Sequence, residues 1–228
     1  MTPSTATPRP RAVLGALGRH PSAMLLTAQL LVIVAYPFLE GNRVGAAVLG
    51  VLSIIAVGLA IAVVRSTPAL SLVAVVIGLP ALVMTVLESS MPGTEWISLV
   101  SAMLHAPFYF YVAYSTIRYL FHDDRVTSDE LFAIGAAFTV VAWGFAYLFV
   151  IVEVLSPGSI KPIADGGAAR FFDLLFFSFT NLTSVGLSDI LPAGDHARSL
   201  VIIEQFAGVL YVAMVISRLV AMSVGRRN

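Results

Sequence analysis

Apolar residues follow one another along most of this chain in long runs, and short polar stretches separate the runs. A run of about 20 apolar residues is long enough to cross a bilayer as a helix. We therefore predict an all-α membrane protein with six transmembrane helices. Their predicted bounds are 22–39, 44–64, 69–87, 97–121, 131–155 and 197–222.

One further apolar run, within the stretch FFDLLFFSFTNLTSVGLSDILP at 171–192, is too short to cross a bilayer. The hydroxyl-rich backbone that follows it, 183–189, cannot face lipid and must be buried in protein or line a water-filled path. We predict a re-entrant pore helix that begins near Ala169 and has Asp173 in its first turn. Its other end, near Thr180 to Leu182, would direct unpaired carbonyls toward the membrane centre, where they stabilise a cation. The alternative is an ordinary buried helix in a compact bundle.

The residues after this run resemble the filter of the potassium-channel pore family. They read T-S-V-G-L-S-D at 183–189, where the family has T-T-V-G-Y-G-D. Residues 197–200 and 208–213 are also similar to the inner helix of small bacterial two-helix-pore channels, and the resemblance extends over roughly 130–222. It implies a homotetramer in which backbone carbonyls replace the water shell of K⁺. It further implies that 130–228 form a pore domain with an outer helix, a pore helix, a filter and an inner helix.

The resemblance assigns six residues to the ion-binding filter: Thr183, Ser184, Val185, Gly186, Leu187 and Ser188. Ser184 would supply the inner hydroxyl ring in place of the usual Thr. Gly186 occupies a position where the family uses a left-handed backbone, which glycine adopts without steric penalty.

The outer half of the filter departs from the family pattern at two positions. Leu187 lacks the phenolic hydroxyl that ties the family's filter to the surrounding pore helices. Ser188 replaces a glycine, and a left-handed Ser188 would carry a strain of about 1–2 kcal/mol in each subunit. We therefore expect a different outer geometry and weaker discrimination of K⁺ from Na⁺.

Three residues outside the filter are candidate parts of the pore. Asp189 either supports the filter and attracts cations to the mouth or only forms a turn. Glu204 lies within an apolar helix and either bonds the back of the pore helix or filter, as filter support, or faces the cavity as a cation site. Gly208 is either a gating hinge or a close-packing residue.

The region before the pore divides into a cytoplasmic N-terminal tail, 1–21, and a four-helix membrane region, 22–129. A voltage sensor carries Arg or Lys at every third position of its fourth helix. Here the fourth helix has only Arg118, near one end. The four-helix region therefore lacks voltage-sensor charges, and Arg118 is interpreted as an anchor at the interface.

Basic residues predict the orientation, because cytoplasmic loops of membrane proteins carry an excess of them. With both termini cytoplasmic, the inner side carries Arg9, Arg11, Arg19, Arg65, Arg118, Arg125, Arg218, Arg226 and Arg227. The outer side then carries only Arg43, Lys161, Arg170 and Arg198. This orientation places the filter on the outer side of the cell inner (plasma) membrane.

Composition narrows the class of function. Hydrophobic residues make up 58% and charged residues 11%, and the mean hydropathy is +0.93, so a soluble domain is excluded. The formal net charge of zero gives no indication of a nucleic-acid partner. No set of residues suggests a nucleophile, a metal cluster or a phosphate loop, so neither enzymatic activity nor a cofactor is expected.

The predicted function is a tetrameric, potassium-channel-like cation channel that conducts K⁺ passively and has reduced selectivity. Its predicted partners are further copies of the chain, the lipid bilayer and monovalent cations. One alternative is a non-selective or Na⁺-permeable channel. The other is a non-conducting transporter or accessory subunit.

Overall fold

The computed structural model describes residues 20–39, 43–64, 68–91, 93–121, 128–163 and 169–225. Most of the predicted N-terminal tail, 1–19, lies outside these residues. The described part is mostly helical, with two short strands.

The elements are α1 (Pro21–Leu39), α2 (Arg43–Val64), α3 (Pro68–Ser90), α4 (Glu95–Leu120), α5 (Ser128–Leu155), β1 (Ile160–Pro162), α6 (Phe171–Leu182), β2 (Ile190–Pro192) and α7 (Asp195–Gly225). The six long helices begin and end within three residues of the predicted bounds. The two strands pair antiparallel, with Lys161 opposite Leu191. The sequence did not predict them, because a three-residue strand has no periodic pattern.

Four helices are long and apolar enough to cross a membrane, namely Pro21–Leu39, Glu95–Leu120, Asp129–Leu155 and Asp195–Ala221. Within α2 and α3, the described residues form the shorter apolar segments Val51–Ala60 and Leu72–Glu88. Across the described residues the chain thus has four candidate membrane-spanning helices. That α2 and α3 also span the membrane stays a prediction.

Helix α5 lies at the centre of the fold and packs against α1, α4, α6 and α7. Small side chains allow this close approach of helices in a membrane. Those buried in α5 include Ala133, Ala136, Ala137, Ala142 and Ala146. A Cβ on Gly144 would lie 3.1 Å from the ring of Phe110 in α4. The same helix therefore joins the N-terminal helices to the elements of the predicted pore.

Polar groups also tie α1 to α5. Asp129 accepts hydrogen bonds from the backbone amide of Ser22 at 3.2 Å and from the Ser22 hydroxyl at 2.9 Å. Further along the two helices, the Thr139 hydroxyl donates to Oε1 of Gln29 at 2.6 Å. Asp129 thus pairs an amide in the first turn of α1 that the helix itself cannot pair.

We predict that Asp129→Ala lowers the free energy of unfolding by about 1–2 kcal/mol, because a first-turn amide of α1 loses its acceptor. Thermal unfolding of the purified protein in detergent measures the loss. Ser22→Ala should add little once Asp129 has been replaced, since the two side chains interact with each other. Fully additive losses in this double-mutant cycle would contradict the assignment.

Candidate ion pore

Helix α6 is too short to cross a membrane. Its 12 residues extend about 18 Å at 1.5 Å per residue, against a hydrocarbon core of about 30 Å. At its start, the amide and Nε of Arg170 donate to the carboxylate of Asp173 at 2.9 and 3.1 Å. Asp173 lies in the first turn, as predicted. The helix packs against α5 and α7, so its far end lies among other helices.

The segment after α6 folds back onto the end of that helix. The amide of Ser184 donates to the carbonyl of Asn181 at 2.8 Å. The amides of Val185 and Gly186 both donate to the carbonyl of Thr180, at 3.1 and 3.0 Å. The expectation of unpaired carbonyls at this end is therefore wrong for Thr180 and Asn181, because the predicted filter supplies their donors.

These hydrogen bonds determine the direction of the carbonyls of 183–185 in the predicted filter. In a trans peptide group the N–H and the C=O point in opposite directions. Because the amides of 184–186 point at α6, the carbonyls of 183–185 point away from it. The φ angle is 57° at Ser184 and 65° at Gly186, while Val185 and Leu187 keep negative φ. Among the described residues, no backbone amide outside the regular helices and strands donates to these three carbonyls. Their oxygens have the chemistry needed to replace the water shell of a cation.

Two left-handed residues shape the turn. A Cβ on Gly186 would meet nothing within 4 Å, so glycine is favoured here by the backbone conformation and not by packing. Ser184 adopts the same conformation in spite of its side chain, at a cost of about 1–2 kcal/mol. Strained residues of this kind cluster at ligand sites. Sequence reasoning assigned Ser184 to the filter but missed its left-handed backbone, because serine gives no specific signal for that conformation.

The second half of the predicted filter is held by the backbone of the segment after α5, 156–163. Ser188 stays outside the left-handed region, and its hydroxyl accepts a hydrogen bond from the amide of Ile190 at 3.1 Å. The carbonyl of Asp189 accepts one from the amide of Ile163 at 2.7 Å, beside the β1–β2 pair. The Leu187 side chain is 79% exposed. The backbone strain expected for a left-handed Ser188 therefore does not arise. Asp189 is exposed at this surface.

Glu204 is fully buried in α7 and faces the back of α6. Its Oε1 is in hydrogen-bond contact with the hydroxyl of Ser178. That hydroxyl also lies 2.8 Å from the carbonyl oxygen of Ala142 in α5. Three helices thus meet at one serine side chain, which sequence reasoning missed. A single hydroxyl inside the aromatic run FFSF was the signal that could have found it.

Gly208 lies one turn beyond Glu204, against the last residue of α6. A Cβ at this position would come within 1.8 Å of the carbonyl oxygen of Leu182. The approach of the two backbones therefore requires glycine, which gives Gly208 a packing role. Its role as a gating hinge stays a prediction.

A large apolar surface remains exposed on the single chain. On α7 it comprises Ile202, Ile203, Phe206, Val209, Leu210, Val212, Ile216, Leu219 and Val220. In the predicted filter, Val185 is 67% exposed. Contiguous apolar surface of this kind marks a contact with lipid or with other protein.

Comparison with known proteins identifies one similarity. Residues 135–224 match a family model described as an ion channel. The matched region runs from α5 to α7 and includes α6 and the filter segment. No curated protein and no solved structure matches the chain significantly. The family match supports an ion channel in the membrane, and it covers the same residues that form the geometry above.

We predict that Gly208→Ala disrupts the packing of α6 on α7, because the added Cβ would overlap backbone that cannot rotate away. The expected result is loss of folded protein, measured by size-exclusion chromatography and thermal unfolding in detergent. Gly58→Ala in α2 is the matched control, since its Cβ would meet nothing within 4 Å and alanine favours a helix. Equal behaviour of the two variants would contradict the packing role.

Proposed function

We propose that this protein is one subunit of a homotetrameric, potassium-channel-like channel that conducts K⁺ passively across the cell inner membrane. The observation that carries the proposal is the row of carbonyls at 183–185 that point away from α6. One chain supplies only one wall of a coordination ring, so symmetric copies must complete it. The ion-channel match over 135–224 supports the same conclusion.

The exposed apolar surfaces support assembly. An inner helix in a tetramer needs apolar contacts with its neighbours, and α7 exposes such side chains along its length, from Ile202 to Val220. Val185 and Leu187 are exposed in one chain although they are apolar. In the proposed tetramer, neighbouring subunits cover part of this surface and lipid covers the rest.

The proposed filter has two unequal halves. Its inner half, Thr183 to Gly186, has carbonyls in sequence and a hydroxyl at Ser184. Its outer half lacks both the Tyr hydroxyl and a left-handed residue at position 188. We therefore propose fewer well-formed ion sites than in a complete potassium filter, with weaker selectivity for K⁺ over Na⁺.

Flux of K⁺, Na⁺ and Rb⁺ into liposomes, together with the mass of the purified assembly, tests the proposal. A tetramer that passes K⁺ supports it, and comparable K⁺ and Na⁺ flux would favour the non-selective or Na⁺-permeable alternative. A monomer or dimer without flux would favour a non-conducting transporter or accessory subunit.

We predict that Leu187→Tyr combined with Ser188→Gly raises the K⁺/Na⁺ permeability ratio. Restoring one site that discriminates by about 1.4 kcal/mol would raise the ratio roughly tenfold. Reversal potentials under K⁺/Na⁺ gradients measure the change. Leu191→Tyr, on an exposed leucine of β2 outside the filter, is the control and should leave the ratio unchanged. Strong K⁺ selectivity of the unmodified protein would refute the idea.

A further inference from the structure

The contacts of Ser178 fix the position of its hydrogen. A serine hydroxyl has one hydrogen to donate and two lone pairs that accept. The carbonyl oxygen of Ala142, 2.8 Å away, can only accept, so it takes that hydrogen. The second contact, with Oε1 of Glu204, then requires a hydrogen on the carboxyl group. In the opposite assignment, the oxygens of Ser178 and Ala142 would lie 2.8 Å apart with no hydrogen between them.

Burial of Glu204 also favours a protonated carboxyl group. The residue has no exposed surface, and across the described residues its Oε2 has no hydrogen-bond partner. An ionised carboxylate in this place would be a buried charge with one oxygen unsolvated, which is strongly unfavourable. Because the residue is already enclosed by its own chain, a neighbouring subunit cannot supply the missing donor.

No charge among the described residues compensates Glu204. In α6, Asp173 pairs with Arg170 at the outer end of the helix. In α5, Glu153 accepts hydrogen bonds from the amides of Gly158 and Ile160. The other ionisable groups of α5 and α7 are Asp129, Glu130, Tyr147, Asp195, His196, Arg198, Tyr211 and Arg218. None of the ion pairs or hydrogen bonds found among the described residues joins one of them to Glu204.

We propose that Glu204 is a positioning residue that carries a proton in the conducting state. Its O–H donates to Ser178, whose hydroxyl donates to the carbonyl of Ala142. This chain of two hydrogen bonds holds the pore helix between the inner and the outer helix. Loss of the proton replaces a hydrogen-bond donor by a buried charge. The support therefore exists at pH values where Glu204 is protonated, and it is lost as the pH rises and Glu204 ionises. The effect on ion flux rests on the proposed channel function.

Infrared spectroscopy of the full-length protein in detergent tests the protonation without any ion flux. At neutral pH the wild type should show the carbonyl band of a protonated carboxylic acid, and Glu204→Gln should lack it. If the two spectra do not differ in this band, the proposal is overturned, whether or not the protein conducts.

K⁺ flux into liposomes as a function of pH tests the positioning role. The wild type should lose flux at alkaline pH. Glu204→Leu and Ser178→Ala, which break the chain of hydrogen bonds, should lose flux already at neutral pH. Glu204→Gln keeps a donor that cannot ionise, so it should restore the flux that Glu204→Leu loses and keep it at alkaline pH.

Asp195→Asn is the matched control, because this acid lies on the same helix with its side chain 98% exposed. Like the wild type, it should lose K⁺ flux at alkaline pH. The same alkaline loss in Glu204→Gln would overturn the positioning role. Absence of flux in every protein would contradict the proposed function, and the infrared band would still decide the protonation of Glu204.

Discussion

The carbonyl of Thr180 accepts hydrogen bonds from two backbone amides of the segment that follows α6, and the geometry of the candidate pore depends on this contact. Backbone at membrane depth needs a partner for each amide. Here the end of the short helix supplies those partners, and in doing so it turns the carbonyls of the same peptide groups away from the helix. The row of possible ion ligands is therefore a consequence of pairing the amides.

This arrangement requires that α6 itself be held in place, since a 12-residue helix has little stability alone. The Arg170–Asp173 pair secures its first turn. Its other half is held by two contacts with α7. One is the backbone approach of Gly208 to Leu182, and the other is the Ser178 hydroxyl between α5 and α7. Both contacts leave little space, so small structural changes at either contact should alter the predicted filter.

The second half of the predicted filter depends on a different support. The amide of Ile163 donates a hydrogen bond to the carbonyl of Asp189, so this support comes from the backbone and not from the side chain of Leu187, which is exposed. The segment 156–163, which includes Ile163, is bonded in turn to the end of α5, because the amides of Gly158 and Ile160 donate to the carboxylate of Glu153. Because α5 also packs against α1 and α4, the N-terminal helices and the predicted filter share one supporting helix.

The sequence by itself determined where the long helices lie, because lipid demands long apolar runs and those runs are local. It also located α6 and the segment after it, since a short apolar run followed by hydroxyls cannot span a bilayer. It did not determine the pairing of the α6 carbonyls, the left-handed Ser184 or the role of Ser178. Ser178 meets partners 26 and 36 residues away, and no local pattern records such contacts. Only the tertiary structure decided that Glu204 faces α6, because burial depends on what packs against a helix face.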